Sequence, residues 1–342
     1  MTDRPECRTS RGTDLQSHIS FFPTASLESL EARAAIIRGL RGFFESRGFL
    51  EVETPVLSRD TVVDRYLEPF AVSVDGDRSF YLQTSPEFAM KRMVAAGAKA
   101  IFQIGRVFRQ GDFGQLHNPE FTMLEWYCTD HDLAAGIAFL SDLTVAVLQR
   151  GKVNVVTLRQ LFAEQVQLNP HTADCRQLRD CACHFGITFP ESFGLAVHDR
   201  ENWVDLIFSE YIQPSLGNDE PIIVIDYLAT QSQLAKTRNI RDDTDEFDVS
   251  ERFELFVDGL ELANGYHELL DAEILFERVR AINTLRNADG KPSLPEESRL
   301  LDAMRHGLPP CCGCAMGLDR LVMAALQTRK IADVIAFPWD RA

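Results

Sequence analysis

From Leu27 onward, the apolar residues Leu27, Leu30, Ala34, Ile37, Leu40 and Phe44 recur at helical spacing, and Gly48 stands where such a helix ends. Phe49 to Pro55 reads as a strand that Pro55 terminates or confines to a sheet edge. A second strand is expected over Phe80 to Thr84. Ser85-Pro86-Glu87 then opens a helix to about Ala96, with Ser85 as cap and proline in the first helical position. Ala100 to Arg109 and Glu120 to Cys128 are strand-like runs joined by a polar, glycine-containing loop, a layout that antiparallel pairing satisfies. Residues 133–189 read as mainly helical. Pro221 to Tyr227 has the character of a buried strand. Arg252 to Val257 and Leu260 to Leu269 flank Asp258-Gly259, the strongest hairpin signal in the chain. Helices are expected over 272–286 and 317–326. Locally paired strands with helices around them predict an α+β fold, an antiparallel sheet flanked by helices.

Composition narrows the function classes. The chain of 342 residues has 35 basic against 51 acidic side chains, a net charge of −16, which argues against general binding to a phosphate backbone. The most apolar stretch, Ala134 to Leu148, is interrupted by Ser141 and Asp142 and is too short to span a bilayer. The first 16 residues lack the apolar block of a signal peptide, so a cytoplasmic location is expected. Residues 1–25 read as a flexible arm and 26–342 as one domain. The cysteines at 7, 128, 175, 181, 183, 311, 312 and 314 are too few for a disulfide framework in a chain this long. Cys175, Cys181, Cys183 and His184 lack the paired spacing of a zinc site, so both cysteine clusters read as free buried thiols.

Three segments carry candidate chemistry. The first is Arg109, a loop, and then His117 to Tyr127. Strand alternation puts Phe121, Met123, Glu125 and Tyr127 on one face, where an acid and a phenol beside an aromatic ring could receive an ammonium group and a flat base. A solvated sheet face is the plain alternative. The second is Glu261 to Glu268, where two carboxylates and an amide after a hairpin could supply hard oxygen ligands for Mg²⁺; an exposed edge strand is its alternative. The third is Gly313 to Leu321, a glycine-rich run opening a helix whose amide N–H groups could face a phosphate. There, Arg320 could equally form a surface ion pair with Asp319 or another acid.

In order, Glu51-Val52-Glu53-Thr54-Pro55, the Arg109–Tyr127 hairpin and Gly317-Leu318-Asp319-Arg320 resemble motifs 1, 2 and 3 of class II aminoacyl-tRNA synthetases. The wording of His117 to Glu125, of Glu261 to Gly265 and of Asp333 to Pro338 is similar to that of lysyl-tRNA synthetases. The resemblance covers residues 27–342. Only about 25 residues precede the motif 1 helix, too few for the anticodon-reading barrel of those enzymes. Thr84-Ser85-Pro86-Glu87 and Glu261 to Glu268 resemble truncated paralogues that ligate (R)-β-lysine to elongation factor P.

The resemblance implies a class II catalytic domain that uses ATP and Mg²⁺ to form an aminoacyl-adenylate and passes the acyl group to a protein lysine. Arg109 then matches the arginine on the α-phosphate, and Phe121 and Arg320 the pair that sandwiches adenine, Arg109 and Arg320 being the catalytic residues. Asn118, Leu262 and the backbone at Gly317 match ATP contacts. Glu261 and Glu268 match the Mg²⁺ carboxylates, Glu268 also standing close to the amino acid. Glu125 and Tyr127 match the receivers of the distal ammonium, and Glu87, within Ser85-Pro86-Glu87, the acid that meets the other amino group. Synthetases usually carry an acid two positions after the motif 2 arginine. Here the run is Gln110-Gly111-Asp112, so Gly111 backbone and Asp112 share that place. Ala315 stands where lysyl-tRNA synthetases have glycine, which implies a preference for the β-isomer. A homodimer through the motif 1 helix is expected, and tRNA is not an expected partner. The alternatives are a lysine-activating ligase acting on tRNA or another carrier, and a silent paralogue that binds amino acid and ATP.

Overall fold

A computed structural model describes residues 21–342 apart from 75, 77, 192, 196–198 and 242–244. The strands are β1 (Leu50–Glu51), β2 (Leu57–Ser58), β3 (Ala71–Val74), β4 (Arg78–Leu82), β5 (Ala100–Phe108), β6 (Glu120–Cys128), β7 (Asn154–Thr157), β8 (Ile222–Leu228), β9 (Thr237–Arg241), β10 (Glu246–Val257), β11 (Leu260–His267) and β12 (Cys312–Gly317). The α-helices are α1 (Leu27–Glu45), α2 (Glu87–Ala95), α3 (Leu133–Leu148), α4 (Leu158–Val166), α5 (Cys175–His184), α6 (Arg200–Ile207), α7 (Ala272–Ala288), α8 (Arg299–Gly307) and α9 (Leu318–Leu326).

The main sheet has the order β1-β5-β6-β12-β11-β10-β8-β7, with β9 also paired to β10. Its centre is antiparallel as expected, whereas β1 on β5 and β7 on β8 are parallel pairs. The Asp258-Gly259 turn closes the β10/β11 hairpin with φ of 52° and 74°, the left-handed pair that such a two-residue turn requires. On one face α1, α3 and α9 bury a core that includes Phe44, Phe102, Trp126, Phe139, Phe253 and Met316. On the other, α2, α7 and α8 pack around Met90, Leu275 and Leu300. The architecture is α+β.

Some boundaries differ from the sequence reading. The expected 49–55 strand is reduced to Leu50–Glu51 at the sheet edge. Pro86, not Ser85, is the cap residue of α2; the Ser85 hydroxyl instead accepts the Glu87 N–H at 3.0 Å. The segment expected to be mainly helical includes β7, and β10 starts six residues before the expected Arg252. Strands β9 and β12 and helices α6 and α8 had no counterpart in the sequence pattern. Residues 1–20 of the expected arm lie outside the described residues, while Ala25 is buried and Thr24 N–H donates to the Ala336 carbonyl at 2.9 Å. Among the described residues no helix is long and apolar enough to cross a membrane. None of their His, Cys, Asp and Glu side chains form a group of three or more that could hold a metal ion. Cys128, Cys181, Cys311, Cys312 and Cys314 are buried free thiols, but Cys183 is exposed, on the outer side of α5.

Candidate active site

Register across the central strands builds the floor of the site. Gln103, Glu125, Ala315, Asn264 and Glu254 are successive partners from β5 to β10, and Ile101, Tyr127, Gly313, Tyr266 and Arg252 form the next row. Partners in a sheet share a face, so these rows bring polar groups from five strands to one surface. A cavity of about 450 Å³ opens above it. Neither plain alternative holds: Met123, Glu125 and Tyr127 are buried rather than solvated, and β11 lies between β12 and β10 rather than at an edge.

Glu261 and Glu268 are seven residues apart, an odd separation that strict alternation would put on opposite faces. A bulge removes the conflict. Leu255 pairs with Ala263 but Phe256 with Glu261, so Leu262 is an extra residue in β11. Glu261 thereby joins Asn264, Tyr266 and Glu268 in lining the cavity.

One end of the cavity is acidic. Ser85 Oγ and Tyr127 Oη each donate to Glu125 at 2.7 Å. Burial, reinforced by the negative charge of Glu87, pushes the Glu125 carboxyl up to about 7. Burial also raises the Glu268 carboxyl well above the usual range, against the pull of Lys91. The Tyr127 phenol is likewise raised by burial and by the neighbouring carboxylates, so it stays neutral. Lys91 Nζ reaches Glu87 Oε1 at 2.6 Å and Glu268 Oε2 at 2.5 Å. Burial opposes its charge, but the two carboxylates outweigh that and hold its pKa above the ordinary lysine value. Glu268 Oε1 is buried and accepts no hydrogen bond. Gly313 leaves room for these groups, since a Cβ there would collide with the Tyr127 ring and Glu268 Oε1.

The other end carries arginines. Arg109 sits with its guanidinium 5.0 Å from the Phe121 ring centre, and its buried Nε has no partner. Burial lowers its pKa, with Asp112 and Glu261 acting in the opposite sense. Arg320 donates to the Glu261 carbonyl at 2.8 Å and to His117 Nε2 at 2.6 Å, which requires that nitrogen to be unprotonated. Burial and the charge of Arg320 lower the His117 pKa accordingly. The cation stacked on Phe121 is thus Arg109, while Arg320 is turned toward His117. Asp319 is not the ion-pair partner of Arg320 either: it is buried, with Arg33 of α1 at 2.5 Å and the Thr122 N–H at 2.8 Å. Asn118 ties down the loop before β6, donating to the Glu120 carbonyl at 2.6 Å and accepting from Trp339 N–H at 2.8 Å.

Of the residues singled out from sequence, Ser85, Glu87, Arg109, Asp112, Asn118, Phe121, Glu125, Tyr127, Glu261, Leu262, Glu268, Ala315, Gly317 and Arg320 line this one cavity; Pro86 and Gly111 do not. Sequence reasoning missed Lys91, although its position one helical turn after Glu87 was a readable signal. It also missed Asp64, Tyr66, Gln233 and Arg252, which wall the cavity. Nothing in their local sequence marks them. Buried Arg286 holds that wall in place, donating to the Asp64 carbonyl at 2.9 Å and to the Glu68 carboxylate at 3.0 and 3.1 Å, and Glu68 in turn accepts the Gln110 N–H at 2.7 Å.

The donor set suits a magnesium-bound nucleotide: Glu261 forms no hydrogen bond through its carboxylate among the described residues, and Asn264 Oδ1 and Glu268 Oε1 are buried acceptors without donors. Residues 15–341 match the family described as tRNA synthetases class II (D, K and N). An elongation factor P–(R)-beta-lysine ligase of Yersinia enterocolitica is 40% identical over 328 residues, covering 94% of this chain and 98% of the relative. The ligase of that name from Pectobacterium carotovorum is 41% identical over 329 residues, and that of Salmonella arizonae 40% over 325, with the same coverage of both chains. The chain belongs to the class II tRNA synthetases and, within them, to the elongation factor P–(R)-beta-lysine ligase family.

Proposed function

We propose that this protein activates (R)-β-lysine with ATP, releasing pyrophosphate, and transfers the acyl group from the adenylate to a lysine side chain of elongation factor P. The observation that carries this reading is the polarity of the cavity, with an end of buried carboxylates for ammonium groups and an arginine end for phosphates. The substrate carboxylate is itself the nucleophile at the α-phosphorus, so positioning and charge stabilisation suffice for the first step. Arg109, with a buried unpartnered Nε, is assigned to the α-phosphate, where a fixed positive charge stabilises the transition state. Phe121 and Arg320 take the adenine, with Asp112, Asn118, Leu262 and Gly317 around the nucleotide. Glu125 and Tyr127 receive one ammonium, and Glu87, beside Ser85, the other. Glu261 and Glu268 would hold Mg²⁺, which when bound neutralises phosphate charge. In the second step the attacking lysine amine must be neutral, and it displaces AMP as the amide forms.

The net charge of −16 counts against tRNA as acceptor. A cytoplasmic location follows from a substrate that serves translation. Incubation with labelled (R)-β-lysine and ATP, plus either elongation factor P or tRNA, tests the reading. Label is expected on elongation factor P alone; label on tRNA, or no pyrophosphate exchange at all, would overturn it.

A further inference from the structure

The acidic end contains a cation of the protein's own. Lys91 is only 1% exposed, as are Glu125 and Glu268, and Glu87 is 7% exposed. It rises from α2 one turn beyond Glu87 and crosses to Glu268, just past the end of β11. The two ion pairs, at 2.6 and 2.5 Å, engage one oxygen of each carboxylate. Without that ammonium the two acids would repel each other across a dry space, where charge is poorly screened. Glu125 has a different environment, its oxygens held by two neutral hydroxyls. When all three carboxylates are ionised, the form that bound ammonium groups favour, they and the one ammonium leave two negative charges in the walls. Farther along the cavity, Arg252 is ion-paired with Glu254 and adds no charge to that balance.

We propose that Lys91 is a positioning residue for the amino-acid pocket: it fixes Glu87 and Glu268 at the span of a shared ammonium and sets the wall charge to match an amino acid with two ammonium groups. The inference rests on the proposed lysine-type substrate. A ligand with a single ammonium leaves one buried carboxylate uncompensated, a penalty that rejects near-isosteric amino acids whose side chain ends in a methyl group. Because Lys91 holds Glu87 and Glu268 from the side, Glu268 Oε1 remains unpartnered and available.

The test compares wild type with Lys91→Met and Lys91→Ala in ATP–pyrophosphate exchange. Lys91→Met is expected to raise KM for (R)-β-lysine by about 30-fold or more, the scale for truncating one partner of a buried charge pair, with a smaller rise in KM for ATP transmitted through Glu268. In Lys91→Ala, added ethylammonium should restore exchange and uncharged propanol of similar size should not, a distinction that mere packing would not make. Unchanged lysine KM in Lys91→Met, or equal rescue by propanol, would overturn the proposal. Should Lys91→Met fail to fold, Lys91→Met/Glu268→Gln removes one charge of each sign and is expected to regain the wild-type melting temperature within a few degrees; no recovery also overturns it. Absence of exchange in wild type with either lysine isomer would instead refute the proposed reaction itself.

Discussion

Both oxygens of Glu125 are held by neutral hydroxyls inside the protein, and that arrangement gives the pocket a definite pH response. Burial raises the Glu125 carboxyl to about 7, above its ordinary value, so below neutral pH the empty protein favours the protonated form. The contribution of Glu125 to stability is then fully present below the ordinary carboxylate range and is lost as pH rises through about 7. A ligand ammonium favours the opposite form. Affinity for the diammonium amino acid, followed by calorimetry, is expected to rise by up to about tenfold per pH unit below 7 and to level off above it. A flat profile in that window would place the ammonium elsewhere. At the other end, Arg109→Ala should slow pyrophosphate exchange by about 10²–10³-fold in a protein with unchanged circular dichroism. Ala315 stands in register between Glu125 and Asn264 and lines the cavity rather than disappearing beneath α9. One methyl group there is worth about 1–3 kcal/mol of discrimination, so Ala315→Gly should move the exchange ratio toward L-α-lysine. Equal isomer ratios in both proteins would leave Ala315 with packing alone.

At the scale of elements, Asp319 joins three parts of the fold: it opens α9, pairs with Arg33 of α1 and accepts the Thr122 N–H of β6. Asp319→Ala leaves Arg33 without its acid in a mostly buried place, a loss expected to cost about 3–5 kcal/mol in urea unfolding. Arg33→Met/Asp319→Leu should regain most of it. This junction also marks the limit of what the sequence discloses. Long elements with strong periodicity, such as α1, β5, β6 and α7, were legible because their own residues dictate their faces. Strand β12 was not: Cys312 to Gly317 carries two glycines and two cysteines, and it is a strand because β6 and β11 flank it. The bulge at Leu262 was invisible for a similar reason, since an extra residue exists only relative to a partner strand. For the site, motif resemblance reached the groups on β6, β11 and β12. The wall of Asp64, Tyr66 and Gln233 was out of reach: Tyr66 and Gln233 both bond to the Asp64 carboxylate, and Asp64 is held by Arg286 from 222 positions away along the chain.

For the molecule as a whole, β1 at the sheet edge exposes Leu50, and Val56 and Leu57 follow it on the surface, next to the helix expected to mediate self-association. We expect a dimer of the 38.6 kDa chain in sedimentation equilibrium, and Leu50→Asp should shift it to monomer. A wild-type protein that stays monomeric at micromolar concentration would rule out that interface. The strand order also has a temporal meaning. The sheet is not filled from one edge to the other: β12, the last strand made, is inserted between β6 and β11. Until it arrives, Glu125 has no Ala315 beside it, Tyr127 has no Gly313, and the two halves of the pocket belong to separate hairpins. A nascent chain that has left the ribosome only as far as residue 311 holds nearly all the side chains for both substrates yet has no place to bind them. Premature termination should therefore yield an inert product rather than a partly active one that consumes ATP without completing the transfer.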